Sequence, residues 1–308
     1  MEIPVLRPRR LGYVALGVAN IEESVRFWTE AVQLDVSERT ADRVYLRGGM
    51  QHHWIALRQS PDPGLERLGI EVDDRATLDA FEQRLRQAGV AVESGEGLDT
   101  DRVDRYLRFA DPAGNPLELY TDMVSMPTPP RPVNVTLLEI QHVVLAVGDT
   151  REAHDFYTGV LGMRVSDWVG RDVCFTHFAN GWHHGIGLSR MPNASHGLNH
   201  ICFQPPDLDN VMRARARVRK LGLTITMDIL RHAPSGSVGF YFAGPDTICE
   251  MSFGARQFAP DEVFKPRLLA AGQDTLDVWQ AGLVDVEQSV VQSLAEMAGR
   301  KQAGSGGG

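Results

Sequence analysis

Apolar residues alternate with polar ones, and then recur at helical spacing, in two corresponding parts of the chain. The stretches RRLGYVALGV at 9–18 and LEIQHVVLAV at 138–147 have the period of two that is typical of β-strands. Each is followed by a stretch, IEESVRFWTEAVQL at 21–34 and TREAHDFYTGVLGM at 150–163, in which apolar residues recur every three or four positions. The pattern predicts a strand followed by a helix in both places.

The same order of elements continues beyond these first helices. The later matching stretches are RLGIEV with LNHICF, and YLRFADPAGNPLELY with GFYFAGPDTICEMSF, and a second helical stretch lies between them in each half. The offset between corresponding residues is 129 for Tyr13 and His142 (142 − 13) and 132 for Glu118 and Glu250 (250 − 118). A repeat this constant indicates two copies of one strand–helix–strand–strand–strand unit, doubled within each half. We therefore predict an α+β fold of two tandem modules.

Composition shifts divide the chain between and beyond the two repeats. The segment MVSMPTPPRPVN at 124–135 is rich in proline and is typical of a linker. Residues 1–123 and 136–255 then form the two modules. A C-terminal extension at 256–301 has helical apolar spacing in TLDVWQAGLVDVEQSVVQSLAEMA, and the glycine-rich residues 302–308 predict a flexible tail.

Composition and charge narrow the class of protein. The chain has 308 residues, of which 43% are hydrophobic, enough for two ordinary domains with apolar cores. Its net charge of −9 argues against nucleic acid or an anionic membrane as a partner. The longest apolar runs are strand-sized, well below the roughly 20 residues of a membrane span, and the N-terminus lacks the pattern of a signal peptide. Three scattered cysteines are typical of reduced thiols, so we expect a cytoplasmic protein.

The two copies differ at three aligned positions on three predicted strands. The first copy has Tyr13, Gly69 and Glu118, and the second has His142, His200 and Glu250. The strands are apolar, so we expect these side chains to point into a sheltered space. Alone, a strand histidine is usually a hydrogen-bonded core residue, and a strand glutamate usually faces solvent. Together, two imidazoles and one carboxylate form a ligand set that leaves positions open on a divalent metal for a chelating substrate.

The sequence over about residues 9–254 resembles the vicinal oxygen chelate superfamily. The matching stretches are HVVLAV, HHGIGL, GLNHICFQ and RHAPSGSVGFYFAGPDTICEMSFG in the second half, and LGYVALGV and DPAGNPLELYTD in the first. Within that superfamily it resembles the two-module type I extradiol ring-cleavage dioxygenases, which include catechol 2,3-dioxygenase and 2,3-dihydroxybiphenyl 1,2-dioxygenase. The resemblance implies βαββ units that form a curved mixed sheet in each module. It also implies that the second module alone binds Fe(II), through His142, His200 and Glu250, a ligand set that accommodates Mn(II) as well.

The resemblance implies three further functional residues in the second module. His184, the second histidine of HHGIGL, matches an acid–base histidine, and a reference pKa of about 6.5 suits proton transfer near neutral pH. His232 matches a histidine that helps take a substrate proton or holds the pocket shut, and Tyr241 matches a tyrosine that forms a hydrogen bond with a catecholate oxygen. From the residues alone, a turn histidine and a core tyrosine would be the simpler interpretations. His183 is expected to face the opposite side of its strand. Strand position suggests three substrate contacts: Val144, Phe175 and Trp182.

Two differences between the copies bear on the predicted site. In HHWIAL of the first half, His53 corresponds to His184, but no ligand histidine accompanies it, so we expect the first module to be a scaffold. Before the ligand glutamate, the first half has DPAGNPLE, with six residues from Pro112 to Glu118 (118 − 112), whereas the second half has GPDTICE, with five from Pro245 to Glu250 (250 − 245). The shorter turn changes the loop near the substrate and leaves the ligand strand intact.

Three functional hypotheses are consistent with these features. The leading one is an Fe(II)-dependent extradiol dioxygenase that opens a catechol-type aromatic diol with O₂ in aromatic degradation. A glyoxalase-like metal isomerase or epimerase is the second, although such enzymes generally use a fourth ligand and further carboxylates. The third is a non-catalytic protein that binds a small molecule on the same scaffold, and the intact ligand set argues against it. We expect a homo-oligomer, which is the default for soluble assemblies.

Overall fold

The computed structural model describes residues 6–191, 193–194, 196–260 and 262–280. The first sheet contains eight strands: β1 (Arg10–Val18), β2 (Asp35–Arg39), β3 (Arg43–Arg47), β4 (Ile55–Gln59), β5 (Gly64–Glu71), β6 (Glu93–Gly97), β7 (Val103–Ala110) and β8 (Pro116–Met123). Their order across the sheet is β2-β3-β4-β1-β5-β8-β7-β6. The pairs β1–β4 and β5–β8 are parallel and the others are antiparallel, so this is a mixed sheet.

The second sheet repeats this order and adds one strand. Its strands are β9 (Glu139–Val147), β10 (Arg164–Val169), β11 (Val173–His177), β12 (Ile186–Arg190), β13 (His196–Gln204), β14 (Ile225–Arg231), β15 (Val238–Ala243), β16 (Ile248–Phe253) and β17 (Arg267–Leu269). The order is β14-β15-β16-β13-β9-β12-β11-β10-β17. The predicted fold of two tandem modules is confirmed, and the extra strand comes from the C-terminal extension.

The helices begin at equivalent places in the two halves. They are α1 (Ile21–Glu30), α2 (Arg75–Gln87), α3 (Thr150–Asp155), which continues as a π-helical turn over Phe156–Val160, α4 (Leu208–Lys220) and α5 (Gln273–Leu276). The side chains of Asn20, Asp74, Asp149 and Asp207 accept hydrogen bonds from backbone N–H groups of the first turns of α1 to α4. Such caps satisfy N–H groups that have no partner inside a helix. No helix in the described ranges is long and apolar enough to span a membrane.

Helix α1 of the first half contacts the sheet of the second half. The Phe27 ring lies 5.9 Å from the Phe242 ring, and the Trp28 ring lies 6.0 Å from the Phe203 ring, measured between centroids. One continuous cluster of buried apolar side chains contains residues from both halves. The two sheets therefore share a core with helices packed between them, and this holds the second sheet in place from one side.

The extension continues along the outer edge of the second sheet. Strand β17 pairs in parallel with β10, with Arg267 opposite Asp167. Helix α5 follows, and a short 3₁₀ turn covers Val278–Gln280. Of the helical stretch predicted over 275–298, residues 275–280 lie in α5, Asp277 and the 3₁₀ turn, and the rest lies outside the described residues.

Strand pairing corrects one correspondence expected from the sequence. Gly69 pairs with residues of β1 and β8, and Cys202 pairs with the corresponding residues of β9 and β16. Gly69 is therefore equivalent to Cys202, and Arg67, two residues earlier, stands at the position of His200. The expected match of Gly69 with His200 was wrong by two residues. Because strands have a period of two, a shift of two keeps every side chain on the same face, so the apolar pattern did not reveal the error.

Candidate metal centre and its cavity

Three neighbouring strands carry the three predicted metal ligands. His142 lies on β9, His200 on β13 and Glu250 on β16, and β13 pairs with both of the other strands. Cys202 pairs with His142 on one side and with Glu250 on the other. His200 is two residues from Cys202 on the same strand, so all these side chains project from one face of the sheet. The apolar strands place the three ligand groups in the protein interior, where each is at most 3% exposed.

The potential donor atoms form a compact triangle. His142 Nε2 lies 3.0 Å from Glu250 Oε2, His200 Nε2 lies 3.3 Å from the same oxygen, and the two Nε2 atoms are 3.4 Å apart. Two donors that bind one ion at right angles, with bonds of about 2.1 Å, lie about 3.0 Å apart. The observed separations are therefore close to those of adjacent ligands on a single ion. Within the described ranges, this is the one cluster of three such groups.

The outer ring nitrogens of the two histidines face side-chain amide oxygens. His200 Nδ1 lies 2.7 Å from Asn199 Oδ1, and His142 Nδ1 lies 3.4 Å from Gln141 Oε1. An amide oxygen accepts hydrogen bonds, so Nδ1 of His200 carries the proton. The Nε2 lone pair of a neutral ring then points inward, as a metal ligand requires.

The charge state of the cluster also fits a bound cation. Burial alone would raise the pKa of the Glu250 carboxyl, but His142 and hydrogen bonds from the surrounding histidines lower that pKa well below its usual range. Burial lowers the pKa of His142, which favours a neutral imidazole. Glu250 Oε1 is buried without a hydrogen-bond partner. Two imidazoles and an ionised carboxylate, which has one oxygen without a hydrogen bond, form a donor set for a divalent metal.

A cavity opens directly beside these donors. Its polar end consists of the three ligand groups together with His184, His232 and Tyr241. Its walls are mainly apolar and come from Val144, Val169, Val173, Phe175, Pro234 and Leu276. An apolar slot that ends in a few convergent polar groups suits a small aromatic molecule with a polar edge.

His184 lies against the ligand cluster. It stands in the turn just before β12, whereas the sequence predicted a strand at this position. Its ring centroid is 3.9 Å from that of His142 and 4.6 Å from that of Phe175. Burial, followed by the neighbouring His142 and His183, lowers the pKa of His184 well below its usual value. His184 is therefore a neutral imidazole at the wall of the cavity.

His232 and Tyr241 form a hydrogen-bonded pair on another wall of the cavity. His232 Nδ1 donates to the carbonyl oxygen of Leu276 at 2.8 Å, so Nδ1 carries a proton. Tyr241 Oη then donates to His232 Nε2 at 2.7 Å. Burial and the nearby Glu250 carboxylate raise the pKa of Tyr241 well above its usual value. The pair places a neutral phenol against a ring nitrogen that can accept its proton.

The three predicted substrate contacts have different positions. Val144 and Phe175 line the cavity. Trp182 is outside the described lining. Its indole Nε1 donates to Glu139 Oε1 at 2.6 Å, and its backbone bridges to Gln257. Sequence reasoning missed Leu276, which belongs to the extension and has no counterpart in the repeat.

The equivalent place in the first module is filled by charged side chains. Arg67, at the position of His200, places its Nε 3.1 Å from Glu118 Oε2 and donates to Tyr13 Oη at 2.8 Å. Tyr13 donates to Glu118 Oε1 at 2.6 Å, and Arg108 Nε donates to Glu118 Oε2 at 2.9 Å. A permanent guanidinium cation therefore occupies the space that a metal would need, and the described residues of the first module contain no comparable ligand set.

Comparison with known proteins agrees with this architecture. The model of the Glyoxalase/Bleomycin resistance protein/Dioxygenase superfamily matches residues 10–119 and 139–248. A biphenyl-2,3-diol 1,2-dioxygenase of Pseudomonas sp. (strain KKS102) is 32% identical over 261 residues, which cover 80% of this chain and 88% of the relative. A 1,2-dihydroxynaphthalene dioxygenase of Sphingobium xenophagum is 28% identical over 276 residues, which cover 83% of this chain and 92% of that one.

Solved structures give the same result for the fold. A Mn(II)-bound glyoxalase from Novosphingobium aromaticivorans superimposes with a TM-score of 0.82 at 23% identity, covering 93% of this chain and 94% of the other. A catechol 2,3-dioxygenase superimposes with a TM-score of 0.75 at 25% identity, covering 85% and 93%. The predicted resemblance to extradiol dioxygenases is confirmed. The family model matches each of the two modules once. The chain therefore belongs to the Glyoxalase/Bleomycin resistance protein/Dioxygenase superfamily.

Proposed function

We propose that this chain is an Fe(II)-dependent extradiol dioxygenase that opens the ring of a catechol-type diol with O₂. The observation that carries the proposal is the convergence of His142, His200 and Glu250 at the polar end of an apolar cavity. Relatives at 32% and 28% identity are named for biphenyl-2,3-diol and 1,2-dihydroxynaphthalene. We therefore propose a diol with a second aromatic ring as the substrate class. A cytoplasmic location and a homo-oligomeric state stay predictions from the sequence.

The donor set supports the choice of metal. Fe(II), when bound, supplies a Lewis-acidic and redox-active cation for the diol and for O₂. Mn(II) suits the same two imidazoles and one carboxylate. Because the outer nitrogen of His200 is held by Asn199, the inner nitrogen stays available as a ligand without reorganisation.

The pair of Tyr241 and His232 can remove a proton from the substrate. A diol hydroxyl that donates to Tyr241 Oη would pass its proton to that oxygen while the phenol proton moves to His232 Nε2. The Leu276 carbonyl, which already accepts from His232 Nδ1, would then stabilise the resulting imidazolium. No net charge builds up on Tyr241, which suits a buried phenol whose pKa is raised.

His184 supplies a second proton-transfer group on another side of the cavity. Its Nδ1 is bound to His183, so Nε2 is the nitrogen that remains for a ligand in the cavity. A neutral Nε2 can accept a proton from the diol and return it to an oxygen atom as the ring opens. Val144 and Phe175 restrict water at this place and hold the plane of an aromatic ring.

The alternative hypotheses are less well supported. A glyoxalase-like isomerase would generally use a further carboxylate ligand, and the cluster in the described residues has a single one. The likeness to the Mn(II)-bound glyoxalase, at 23% identity, concerns the fold alone. A non-catalytic binding protein would have no use for the hydrogen-bonded pair of His232 and Tyr241 beside the ligand cluster.

The test is a direct measurement of ring cleavage. The full chain is purified without oxygen, loaded with Fe(II) or with Mn(II), and mixed in air with biphenyl-2,3-diol, 1,2-dihydroxynaphthalene or catechol. We expect one O₂ consumed per diol and a coloured ring-opened product, with the two-ring diols preferred. Metal analysis of the protein as isolated identifies the ion.

Matched substitutions locate the chemistry in the second module. We expect His184→Gln to reduce turnover by about 10²-fold or more, the usual contribution of an acid–base group. His53→Gln changes the corresponding histidine of the first module, where no ligand cluster lies nearby, and should leave turnover unchanged. Tightly bound metal without O₂ uptake on any diol would reject the dioxygenase proposal. Equal losses in both variants would reject the assignment of His184.

A further inference from the structure

Behind His184, a chain of hydrogen bonds leads away from the cavity. His183 Nδ1 lies 3.0 Å from His184 Nδ1, and His183 Nε2 lies 2.8 Å from Asp167 Oδ2. Both His183 and Asp167 are fully buried. The sequence had suggested that His183 faces away from His184, but the turn before β12 brings the two Nδ1 atoms together. The order Asp167–His183–His184 therefore connects a buried carboxylate with the cavity.

The carboxylate at the far end of this chain is held by the C-terminal extension. Arg267 donates to Asp167 Oδ1 from its backbone nitrogen at 3.0 Å and from Nε at 2.9 Å. Burial alone would raise the pKa of Asp167, but hydrogen bonds from His183 and Arg267 lower it below its usual value. Asp167 is therefore an ionised group that only accepts hydrogen bonds.

The direction of each hydrogen bond follows from this carboxylate. His183 must donate from Nε2 to Asp167, so a neutral His183 has a lone pair at Nδ1. That lone pair can only accept, so the proton between the two histidines belongs to His184 Nδ1. Consequently, His184 has its lone pair at Nε2, the nitrogen that faces the cavity.

We propose that Asp167 and His183 are positioning residues that hold His184 as its Nδ1–H tautomer and present its Nε2 as a proton acceptor. This inference rests on the proposed function, in which His184 handles substrate protons. Neither Asp167 nor His183 is among the described residues that line the cavity, so both act through His184. The same principle operates where a carboxylate orients a catalytic imidazole in a hydrolase triad.

The first module contains the same arrangement without a metal ligand set. His52 Nδ1 lies 3.1 Å from His53 Nδ1, and His52 Nε2 lies 3.0 Å from Glu38 Oε2. Arg102 holds Glu38, donating from Nε at 2.9 Å. This second chain of a carboxylate and two histidines serves the fold alone, so it provides a control for effects on stability.

The substitution Asp167→Asn should reverse the direction of the hydrogen bonds from residue 167 to His184. The amide oxygen would keep the two hydrogen bonds that Oδ1 accepts from Arg267. The NH₂ group then takes the place of Oδ2, where it loses the hydrogen bond from Arg267 Nη2 at 2.5 Å and faces His183 Nε2. His183 would then accept at Nε2 and donate from Nδ1, which moves the proton of His184 from Nδ1 to Nε2. Glu38→Gln makes the matching change in the first module and should not alter His184.

A nuclear magnetic resonance experiment reads the tautomer directly. Two-bond ¹H–¹⁵N spectra are recorded on the full chain labelled with ¹⁵N-histidine and loaded with diamagnetic Zn(II). The signals of His184, one of ten histidines, are assigned by their loss in His184→Gln. We expect His184 to have a protonated Nδ1 and an unprotonated Nε2 in the wild type and in Glu38→Gln, and the reverse in Asp167→Asn. An unprotonated Nδ1 of His184 in the wild type would overturn the proposal, and this outcome does not depend on whether Asp167→Asn folds.

Steady-state kinetics with Fe(II) provides the second readout. We expect Asp167→Asn to lower kcat by about 10²-fold or more, the range typical of acid–base catalysis, with little change in KM for the diol. Glu38→Gln should retain the wild-type kcat even if its melting temperature falls as much. Equal kcat values in the two variants would show that the chain in the second module is structural as well. If the wild type cleaves no diol while the expected tautomer is present, the proposed function fails and the positioning of His184 stands.

Discussion

The charged side chains that fill the place of a metal in the first module allow a quantitative prediction. We consider the substitution Arg67→Met, which keeps an unbranched apolar stem and removes the guanidinium. Arg67 contacts Glu118, Tyr13 and Asp101, the last through Nη2 at 2.6 Å. Glu118 is fully buried and keeps Arg108 and Tyr13 as partners after the change. The substitution therefore leaves the buried Glu118 carboxylate with one of its two arginine partners.

The expected cost follows from this geometry. Removing one partner of a buried ion pair typically destabilises a protein by about 3–5 kcal/mol. Because Arg108 remains, we expect the lower end, about 3 kcal/mol, which is still a large part of a typical free energy of unfolding of about 5–15 kcal/mol. Burial already raises the pKa of Glu118. Loss of Arg67 raises the pKa of Glu118 further. The destabilisation of the variant therefore becomes smaller as the pH falls and Glu118 takes up a proton.

Urea denaturation followed by circular dichroism measures this cost. Arg86→Met serves as a control, because Arg86 is 54% exposed in its pair with Glu82, and such surface pairs contribute about 0–1 kcal/mol. The double substitution Arg67→Met with Glu118→Gln should recover part of the loss, since no bare charge remains. A cost below about 1 kcal/mol for Arg67→Met, or no recovery in the double variant, would refute the view that a guanidinium substitutes for a metal here.

Three further predictions concern the second module. His200→Ala should abolish tight metal binding while the fold persists, as measured by metal analysis and circular dichroism of the purified protein. Burial lowers the pKa of His177 to about 3. Between about pH 3 and 6.5 the unfolded state therefore binds one proton more than the folded state, so the free energy of unfolding decreases as the pH is lowered through this window. The slope is about 1.4 kcal/mol per pH unit, and urea titrations should show a slope smaller by that amount in His177→Leu. A Cβ added at Gly187 would lie 2.8 Å from Val144 Cγ2 and 3.3 Å from Phe175, so Gly187→Ala should raise KM for two-ring diols more than for catechol.

The candidate metal cluster could be located from the sequence because two weak signals coincided. A strand histidine or a strand glutamate is uninformative alone, but the repeat put His142, His200 and Glu250 on equivalent strands of one module. Period-two alternation then placed their side chains on one face. The same alternation concealed the difference between Gly69 and Arg67, because a shift of two residues preserves the face. The sequence comparison therefore found the site of the second module and missed what fills its counterpart.

The remaining parts of the site depend on contacts between distant segments. Arg267 and Leu276 belong to the extension, which has no partner in the repeat, and nothing local indicates that β17 pairs with β10. The position of Trp182 depends on its hydrogen bond to Glu139, 43 residues away in the chain. Long-range partners of this kind are set by packing and not by propensity, so sequence patterns do not identify them.

The extension also affects when the site becomes complete during synthesis on the ribosome. A nascent chain that ends shortly after Glu250 already contains all three metal donors, His184 and the pair of His232 and Tyr241. It lacks Arg267, which fixes Asp167 behind one histidine, and the Leu276 carbonyl, which fixes the outer nitrogen of the other. The candidate metal donors are therefore synthesised before the residues that orient both proposed proton-transfer groups. Under the proposed function, an unfinished chain would hold its candidate metal donors without correctly oriented proton-transfer groups.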